Sequence, residues 1–311
     1  MLLSEQNFRG TTMFFSQYLK NQLDSYNTTQ ADLVGILHTV HPTLSSLDTI
    51  TLNRWLNNKT TPPKDKQIVI ARFFERDLKN YISLVAPPSI PKSFMSHYNK
   101  IFTGIESSYS AIGYDYSSEQ KTIKLERISR RESRRKLDGF YSNIEGYRKV
   151  FEINGSSTLD LPTTLLTINQ GERVVSHLSF QDDIDKTMSA LSEVIGRKVE
   201  KKSKTLLSNI GYYSSREHYQ LIVGHMFNNI LDEYSEYRYL YSLTRGQKFL
   251  QMMQLLGGEL MHSKREPITV GNCHLVRFTI DKLIAHPFIL NEIYKTRASY
   301  QELIKTGQLP F

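Results

Sequence analysis

The chain has 311 residues, enough for two domains, and its 39% hydrophobic and 23% charged residues are typical of a globular protein and not of a disordered one. Lysine and arginine outnumber acidic residues by 39 to 31, and the net charge of +8 favours an acidic partner. The single cysteine, Cys273, excludes a disulfide framework and a cysteine-rich zinc module. Because the sequence has no signal-peptide pattern and no apolar run of about 18 residues, it predicts a cytoplasmic protein without membrane contact.

The first 80 residues are predicted to form short helices. Apolar side chains between Phe14 and Leu23 recur every three or four positions, which indicates one buried helix face. Helix-start signals follow at Thr29, at Asp48 and at Asp65. The pattern therefore predicts an all-helical N-terminal domain.

The segment between Thr29 and Pro62 resembles the Cro/phage-repressor (xenobiotic-response-element) helix-turn-helix family. Thr29–Leu33 is similar to the opening of that family's second helix, Thr51–Trp55 to its third helix, and Asn58–Pro62 to the loop that follows. The resemblance implies that residues 1–82 form an all-α helix-turn-helix bundle that binds double-stranded DNA through the third helix. It also implies a homodimer on a two-fold symmetric site.

The third helix has one apolar and one polar face. Leu52, Trp55 and Leu56 share a face by their spacing and are predicted to pack inward. Outward Arg and Asn side chains suit guanine and adenine edges, and amide or cationic groups near helix starts suit phosphates. The candidate DNA contacts are Gln30, Thr49, Thr51, Asn53, Arg54, Asn57, Lys59 and Thr61. The alternative is a small bundle for protein contact with a solvated polar face.

The middle of the chain is predicted to be a linker followed by a basic helical region. Prolines between Ala86 and Pro91 favour a linker, assigned to residues 83–118. Eight lysines and arginines lie between Gln120 and Lys136, and residues 120–150 are predicted to be helical. Such a stripe suits a phosphate backbone, an acidic partner or solvent.

The remainder alternates between strands and helices, which predicts a mixed α/β domain. Gln170-Gly171 is a hairpin signal between two apolar runs. The predicted strands are Thr164–Asn169, Arg173–Phe180, Thr205–Tyr213, Tyr237–Leu243, Glu259–Ser263 and His274–Ile280, and the predicted helices are Asp182–Val194, Gln220–Glu233 and Gly246–Leu256.

This order of elements resembles the Gcn5-related N-acetyltransferase fold over about residues 140–283. The resemblance implies that a loop opening the helix after a splayed strand binds the pyrophosphate of acetyl-CoA through its N–H groups. The candidate cofactor-binding residues are Gln220, Leu221, Val223 and Gly224. The loop departs from the family pattern, because Leu221 stands where Gln or Arg is usual and Met226 where a small residue is usual. No catalytic residue and no metal ligand is assigned.

The sequence thus predicts an α+β multidomain protein, with a helix-turn-helix bundle before an acetyltransferase-like domain over residues 119–311. The predicted function is a sequence-specific DNA-binding transcriptional regulator, more a binding protein than an enzyme. Its C-terminal domain would sense a small molecule or hold the dimer. No resident cofactor is expected, and an acyl-CoA is one candidate ligand. The alternatives are an N-acetyltransferase that uses acetyl-CoA and carries a DNA-binding extension, and a protein-interaction adaptor.

Overall fold

The structure is a computed structural model. It describes residues 13–74, 78–84, 87–112, 119–141, 161–182, 184–195, 198–199, 204–265 and 272–311. Within these ranges no helix is both apolar enough and long enough to cross a bilayer. The chain divides into two compact units, Met1–Pro88 with Leu231–Ser235, and Ser89–Ile230 with Glu236–Phe311.

The first unit is helical in its described residues. Leu52, Trp55 and Leu56 are buried, as their spacing predicted, and Thr29 caps the second helix by accepting a hydrogen bond from the Asp32 N–H. The helices are α1 (Phe15–Tyr26), α2 (Gln30–Val40), a 3₁₀ turn (Pro42–Leu44), α3 (Thr49–Leu56), α4 (Lys64–Phe74) and α5 (Leu78–Leu84).

The second unit is an α/β domain built on an eight-stranded sheet. Its elements are α6 (Lys92–Ile112), β1 (Lys121–Ser129), α7 (Arg130–Tyr141), β2 (Pro162–Gln170), β3 (Arg173–Gln181), α8 (Asp185–Ile195), β4 (Thr205–Ser208), α9 (Arg216–Glu233), β5 (Tyr239–Arg245), α10 (Gln247–Leu255), β6 (Glu259–Arg265), β7 (Asn272–Thr279), α11 (Ile280–Ala285), α12 (Pro287–Thr306) and β8 (Gln308–Pro310).

The strand order is β6-β7-β5-β4-β3-β2-β1-β8, and β4 and β5 are the parallel neighbours in an otherwise antiparallel sheet. The parallel pair requires a crossover, which α9 supplies. The predicted β2–β3 hairpin is present, with Gly171 at a φ of 57° in its turn. The predicted succession of hairpin, strand, helix, strand, helix and two strands is therefore observed.

Helices cover both faces of the sheet. On one face, Met188 of α8 packs with Leu207 and Tyr241, and Leu137 of α7 packs with Leu165. Since side chains alternate between the faces of a strand, Leu206 and Leu240 point to the opposite face, which α9 covers. Helix α12 packs against α9 through Asn228, whose Nδ2 donates to Ile293 O at 3.1 Å and Thr296 Oγ1 at 3.0 Å.

Two predictions for the middle of the chain are corrected. The expected linker over residues 83–118 contains helix α6, whose apolar stripe of Phe94, Tyr98, Ile101 and Phe102 is buried. The expected basic helix over residues 120–150 begins as strand β1, because Lys121–Ser129 pairs along its whole length with β2. Helix α7 follows, and residues 142–150 lie outside the described part of the chain.

Candidate functional site

The parallel strands β4 and β5 pair over only four residues and then diverge. Their pairing runs from Thr205–Tyr239 to Ser208–Ser242. Beyond Ser208 the chain stays with β3: the Asn209 N–H donates to Ser179 O at 2.8 Å. Strand β5 instead continues along β7 as far as Arg245. A gap therefore opens between residues 209–213 and 243–245.

Peptide groups of the β4 extension face this gap. His177 and Tyr212 exchange both backbone hydrogen bonds, at 2.8 and 2.9 Å. Because backbone groups alternate in direction along an extended chain, the N–H and C=O groups of Gly211 and Tyr213 point away from β3 and toward the gap. These N–H and C=O groups can form hydrogen bonds with the amide groups of an extended ligand.

The gap leads into a cavity of about 750 Å³, within the range usual for small-molecule sites. The carboxyl ends of parallel strands are a common place for such sites in α/β sheets. The cavity has two parts, the histidine arm and the apolar arm. The histidine arm is formed by His177, Phe140, Tyr141 and Tyr212, and the apolar arm by Val223, Met226, Phe227, Leu240, Phe278, Leu283 and Ile289.

In the histidine arm, the His177 ring is fully buried among aromatic side chains. The ring of Phe140 meets it edge-on with 4.6 Å between centroids, and Tyr141 and Tyr212 flank it. Burial lowers the pKa of His177 from 6.5 to about 3, so the imidazole is neutral at pH 7.

The hydrogen bonds around His177 favour one tautomer. The hydroxyl of Tyr141 donates its hydrogen to Ile210 O, and Nδ1 of His177 lies 3.4 Å from the same hydroxyl oxygen. With its hydrogen used, that oxygen accepts from Nδ1–H, which leaves Nε2 with the lone pair. No described residue forms a hydrogen bond with Nε2. His177 thus keeps a buried nitrogen with a lone pair beside the cavity.

The apolar arm lies on the α9 face of the sheet. Val223, Met226 and Phe227 form one stripe of α9, and each is at most 5% exposed. Leu240 faces them from β5, opposite Leu206 in the part where β4 and β5 are still paired. The sheet therefore closes the arm at that end.

Two helices begin at the gap, and their first turns differ. At α9, Ser215 Oγ accepts from the His218 N–H at 3.2 Å, and Glu106 Oε1 accepts from the Arg216 N–H at 2.9 Å. The Glu106 carboxylate also lies 3.8 Å from the Arg216 guanidinium. Side chains of the protein therefore accept hydrogen bonds from N–H groups in the first turn of α9.

Helix α10 begins without such caps. Gly246 precedes it at a φ of 79° and offers no side-chain acceptor to the first N–H groups. Arg245 and Lys248 lie on either side of Gly246 and line the cavity. Among the two helix starts, α10 is the one that presents free N–H groups and positive charge to an anion.

The predicted cofactor loop is corrected. Gln220, Leu221, Val223 and Gly224 lie inside α9 and not in an open loop before it. A Cβ on Gly224 would stand 2.7 Å from Glu292 O and 2.5 Å from a Thr296 side-chain atom, so this glycine lets α9 approach α12 closely. Of the four residues, Val223 lines the cavity.

The predicted DNA contacts lie on the surface of the first unit. Thr51 is half-buried, and the exposed residues are Gln30, Thr49, Asn53, Arg54, Asn57, Lys59 and Thr61. Two of the predicted base-reading side chains bind each other, since Asn57 Nδ2 donates to Asn53 Oδ1 at 2.6 Å. Asp48 Oδ1 accepts from the Thr51 N–H at 2.6 Å, and this backbone hydrogen bond lowers the pKa of Asp48 and holds a negative charge at the start of α3.

No protein-family model and no curated protein matches the chain. Solved structures that resemble it include the ribosomal-protein-S5-alanine acetyltransferase of Vibrio fischeri, with 7% identity over 53% of this chain and 96% of that one and a TM-score of 0.29. RimJ of Mycobacterium smegmatis, in complex with CoA-disulfide, has 10% identity over 64% and 85% and a TM-score of 0.28. The CoA-dependent acyl-homoserine lactone synthase MesI has 10% identity over 58% and 95% and a TM-score of 0.30.

These comparisons correct the main functional prediction. Of the three structures named above, two are proteins of acyl transfer or synthesis and one is a CoA complex, and none is named as a DNA-binding protein. The prediction of a Cro/C1-type DNA-binding transcriptional regulator is therefore wrong. The sequence pattern misled because a short polar face on a capped helix also occurs on a helix that only faces solvent.

His177 and its partners were missed by the sequence analysis. A single histidine within a strand pattern carries no motif, and Phe140 and Tyr212 are far from it along the chain. Arg245 lies between the predicted strand Tyr237–Leu243 and Gly246, which begins a predicted helix, and Lys248 lies in the first turn of that helix. That strand–glycine–helix junction was a readable signal for an anion-binding end, and it was not used.

Proposed function

We propose that the second unit is an acyltransferase that moves an acyl group from a CoA thioester to an amine. The observation that carries the proposal is the divergence of parallel strands β4 and β5 into a cavity whose wall holds the buried, neutral His177. The gap supplies room for an extended thioester, and the histidine supplies a proton acceptor next to it.

The residues around the gap fit the parts of a CoA thioester. The peptide groups of Gly211 and Tyr213 face the gap and suit the amides of the pantetheine arm. Arg245, Lys248 and the uncapped start of α10 suit the phosphates. The start of α9 does not suit them, because the Glu106 carboxylate is bound there and would repel an anion.

The chemistry needs one proton to move. A bound thioester supplies an activated acyl carbon, and the amine nitrogen must lose a proton as its bond to that carbon forms. Nε2 of His177 holds the lone pair that takes this proton. Because burial disfavours the imidazolium, His177 is a weak base, and the proton that it takes passes on to the departing sulfur. The balance is one C–S bond broken, one C–N bond formed, and the amine proton transferred to the thiol.

The experiment measures thiol release from acetyl-CoA and octanoyl-CoA by the full chain, with and without a mixture of amino acids, polyamines and short peptides. We expect release that depends on the protein and increases with an amine, together with an acylated amine of the corresponding mass. Calorimetry with the same thioesters measures binding separately. Absence of both binding and thiol release would refute the proposed function.

A further inference from the structure

All seven side chains that form the apolar arm are apolar. Three helical residues, Val223, Met226 and Phe227, face Leu240 and Phe278 from the sheet, and all five are at most 5% exposed. Leu283 and Ile289 complete the wall at 3% and 1% exposure. Water in such an arm has few polar partners, so an apolar group is the favoured occupant.

The two ends of the cavity along β5 are opposite in character. Arg245, at one end, lies next to the uncapped start of α10 and Lys248. Leu240, five residues earlier in the strand, lies in the closed apolar end. A strand advances about 3.3 Å per residue, so these ends are about 17 Å apart. An amphiphile with an anionic head and an apolar tail matches this polarity.

The length of the arm sets the length of the tail. The strands have parted at Leu243, and Leu240 lies three residues further into the closed end. An extended polypeptide advances three backbone bonds per residue, so this distance of about 10 Å corresponds to an alkyl chain of about nine carbons. A bound acetyl group would leave nearly all of the apolar arm empty.

We propose that the apolar arm holds the acyl chain of the donor and that the preferred donor carries a straight chain of about eight to ten carbons. The identity of the donor as a thioester rests on the proposed function. The apolar character of the arm rests only on the side chains that line it. It names the substrate class that this acyltransferase would use, a medium-chain acyl thioester in place of acetyl-CoA.

The first test is the chain-length profile of the unaltered protein with acetyl-, butyryl-, hexanoyl-, octanoyl-, decanoyl- and palmitoyl-CoA. We expect kcat/KM for thiol release to rise about fourfold with each added methylene up to octanoyl or decanoyl, because each buried methylene adds transfer free energy. It should fall at palmitoyl. Equal rates with acetyl-CoA and octanoyl-CoA would overturn the proposal.

The second test narrows the arm. Val223→Phe is expected to lower kcat/KM for octanoyl-CoA and decanoyl-CoA and to shift the preferred donor toward butyryl-CoA. Val199→Phe is the matched control, because Val199 is half-buried against a cluster of buried residues none of which lines the cavity. If Val223→Phe fails to fold, Leu283→Met, a nearly volume-conserving change in the same arm, should change the ratio of the rates for octanoyl-CoA and decanoyl-CoA. An unchanged profile in the folded variant would contradict the assignment of the arm.

A third measurement separates this proposal from the proposed function. Octanoate and decanoate, which carry no thioester, are titrated by calorimetry into the unaltered protein and into the Val223→Phe variant. Binding that is lost in the variant supports the arm even if no thioester is turned over. Thioester turnover without any binding of these acids and without a chain-length preference would overturn the arm and leave the proposed function standing.

Discussion

The histidine arm and the apolar arm open from the same gap, but different parts of the sequence supply their walls. The histidine arm takes His177 from β3, Phe140 and Tyr141 from α7, and Tyr212 from the extension of β4. The apolar arm takes much of its wall from one stripe of α9. The histidine arm thus depends on residues from three separate segments, whereas three of the seven residues of the apolar arm come from one stripe of α9.

The largest expected effect tests the histidine arm. His177→Gln keeps a polar side chain of similar size but removes the proton acceptor, so kcat for thiol release in the presence of amine is expected to fall about 100- to 10,000-fold. Thioester binding, measured by calorimetry, should change little. A variant that keeps its rate while remaining folded would show that the two arms do not differ in chemical role.

The next effect tests how the apolar arm is held in place. Gly224→Ala puts a Cβ within 2.7 Å of Glu292 O, so we expect a loss of about 1–3 kcal/mol in the free energy of unfolding, measured by denaturant titration. Gly35→Ala in α2 is the control, since no atom lies within 4 Å of its added Cβ. It should stabilise its helix by about 0.5–1 kcal/mol. Equal effects of the two substitutions would contradict the close approach of α9 to α12.

The free energy of unfolding is also expected to change with pH, by a small amount for each pH unit. Burial lowers the pKa of His177 from 6.5 to about 3, so between these values the unfolded chain binds a proton that the folded chain does not. Stability is therefore full above pH 6.5 and falls by about 1.4 kcal/mol for each unit of acidification until the folded histidine protonates. His225, whose pKa burial lowers from 6.5 to about 4, adds a similar slope between these two pH values. Denaturant titrations from pH 7 to pH 4.5 should show a shallower slope in His177→Gln; an identical slope would indicate that His177 is not buried.

The smallest effect concerns the cationic end. Lys248→Ala is expected to weaken binding of a CoA thioester by about two- to fivefold, because an exposed charge near a phosphate contributes little. Added salt should diminish the difference. Lys282→Ala on α11 removes an exposed charge away from the cavity wall and serves as the control. An equal change in both variants would assign the effect to net charge alone.

Much of the second unit was predictable because its elements have strong local patterns. The β2–β3 hairpin followed from Gln170-Gly171 between two apolar runs, and α8, α9 and α10 followed from their periodicity. Strand β1 was mistaken for a helix because its basic residues also fall at helical spacing. Pairing with β2, some forty residues later in the chain, decided its conformation.

The candidate site was less predictable, and its residues show why. Gly224 was assigned to a phosphate loop on the resemblance to the acetyltransferase pattern, yet its close approach to Thr296 is a contact of tertiary structure. The Glu106 carboxylate at the start of α9 comes from a segment expected to be a linker. No local pattern connects residues 110 positions apart.

The sequence by itself determined the alternation of strands and helices, the buried stripes of α3 and α9, and the hairpin turn, because each depends on neighbours within a few residues. Tertiary structure alone decided that β4 and β5 part after Ser208 and Ser242, that His177 is buried without a partner on Nε2 among the described residues, and that the start of α10 is uncapped while that of α9 is capped. These features arise where distant segments compete for the same hydrogen bonds and the same space, and a local pattern contains no record of that competition.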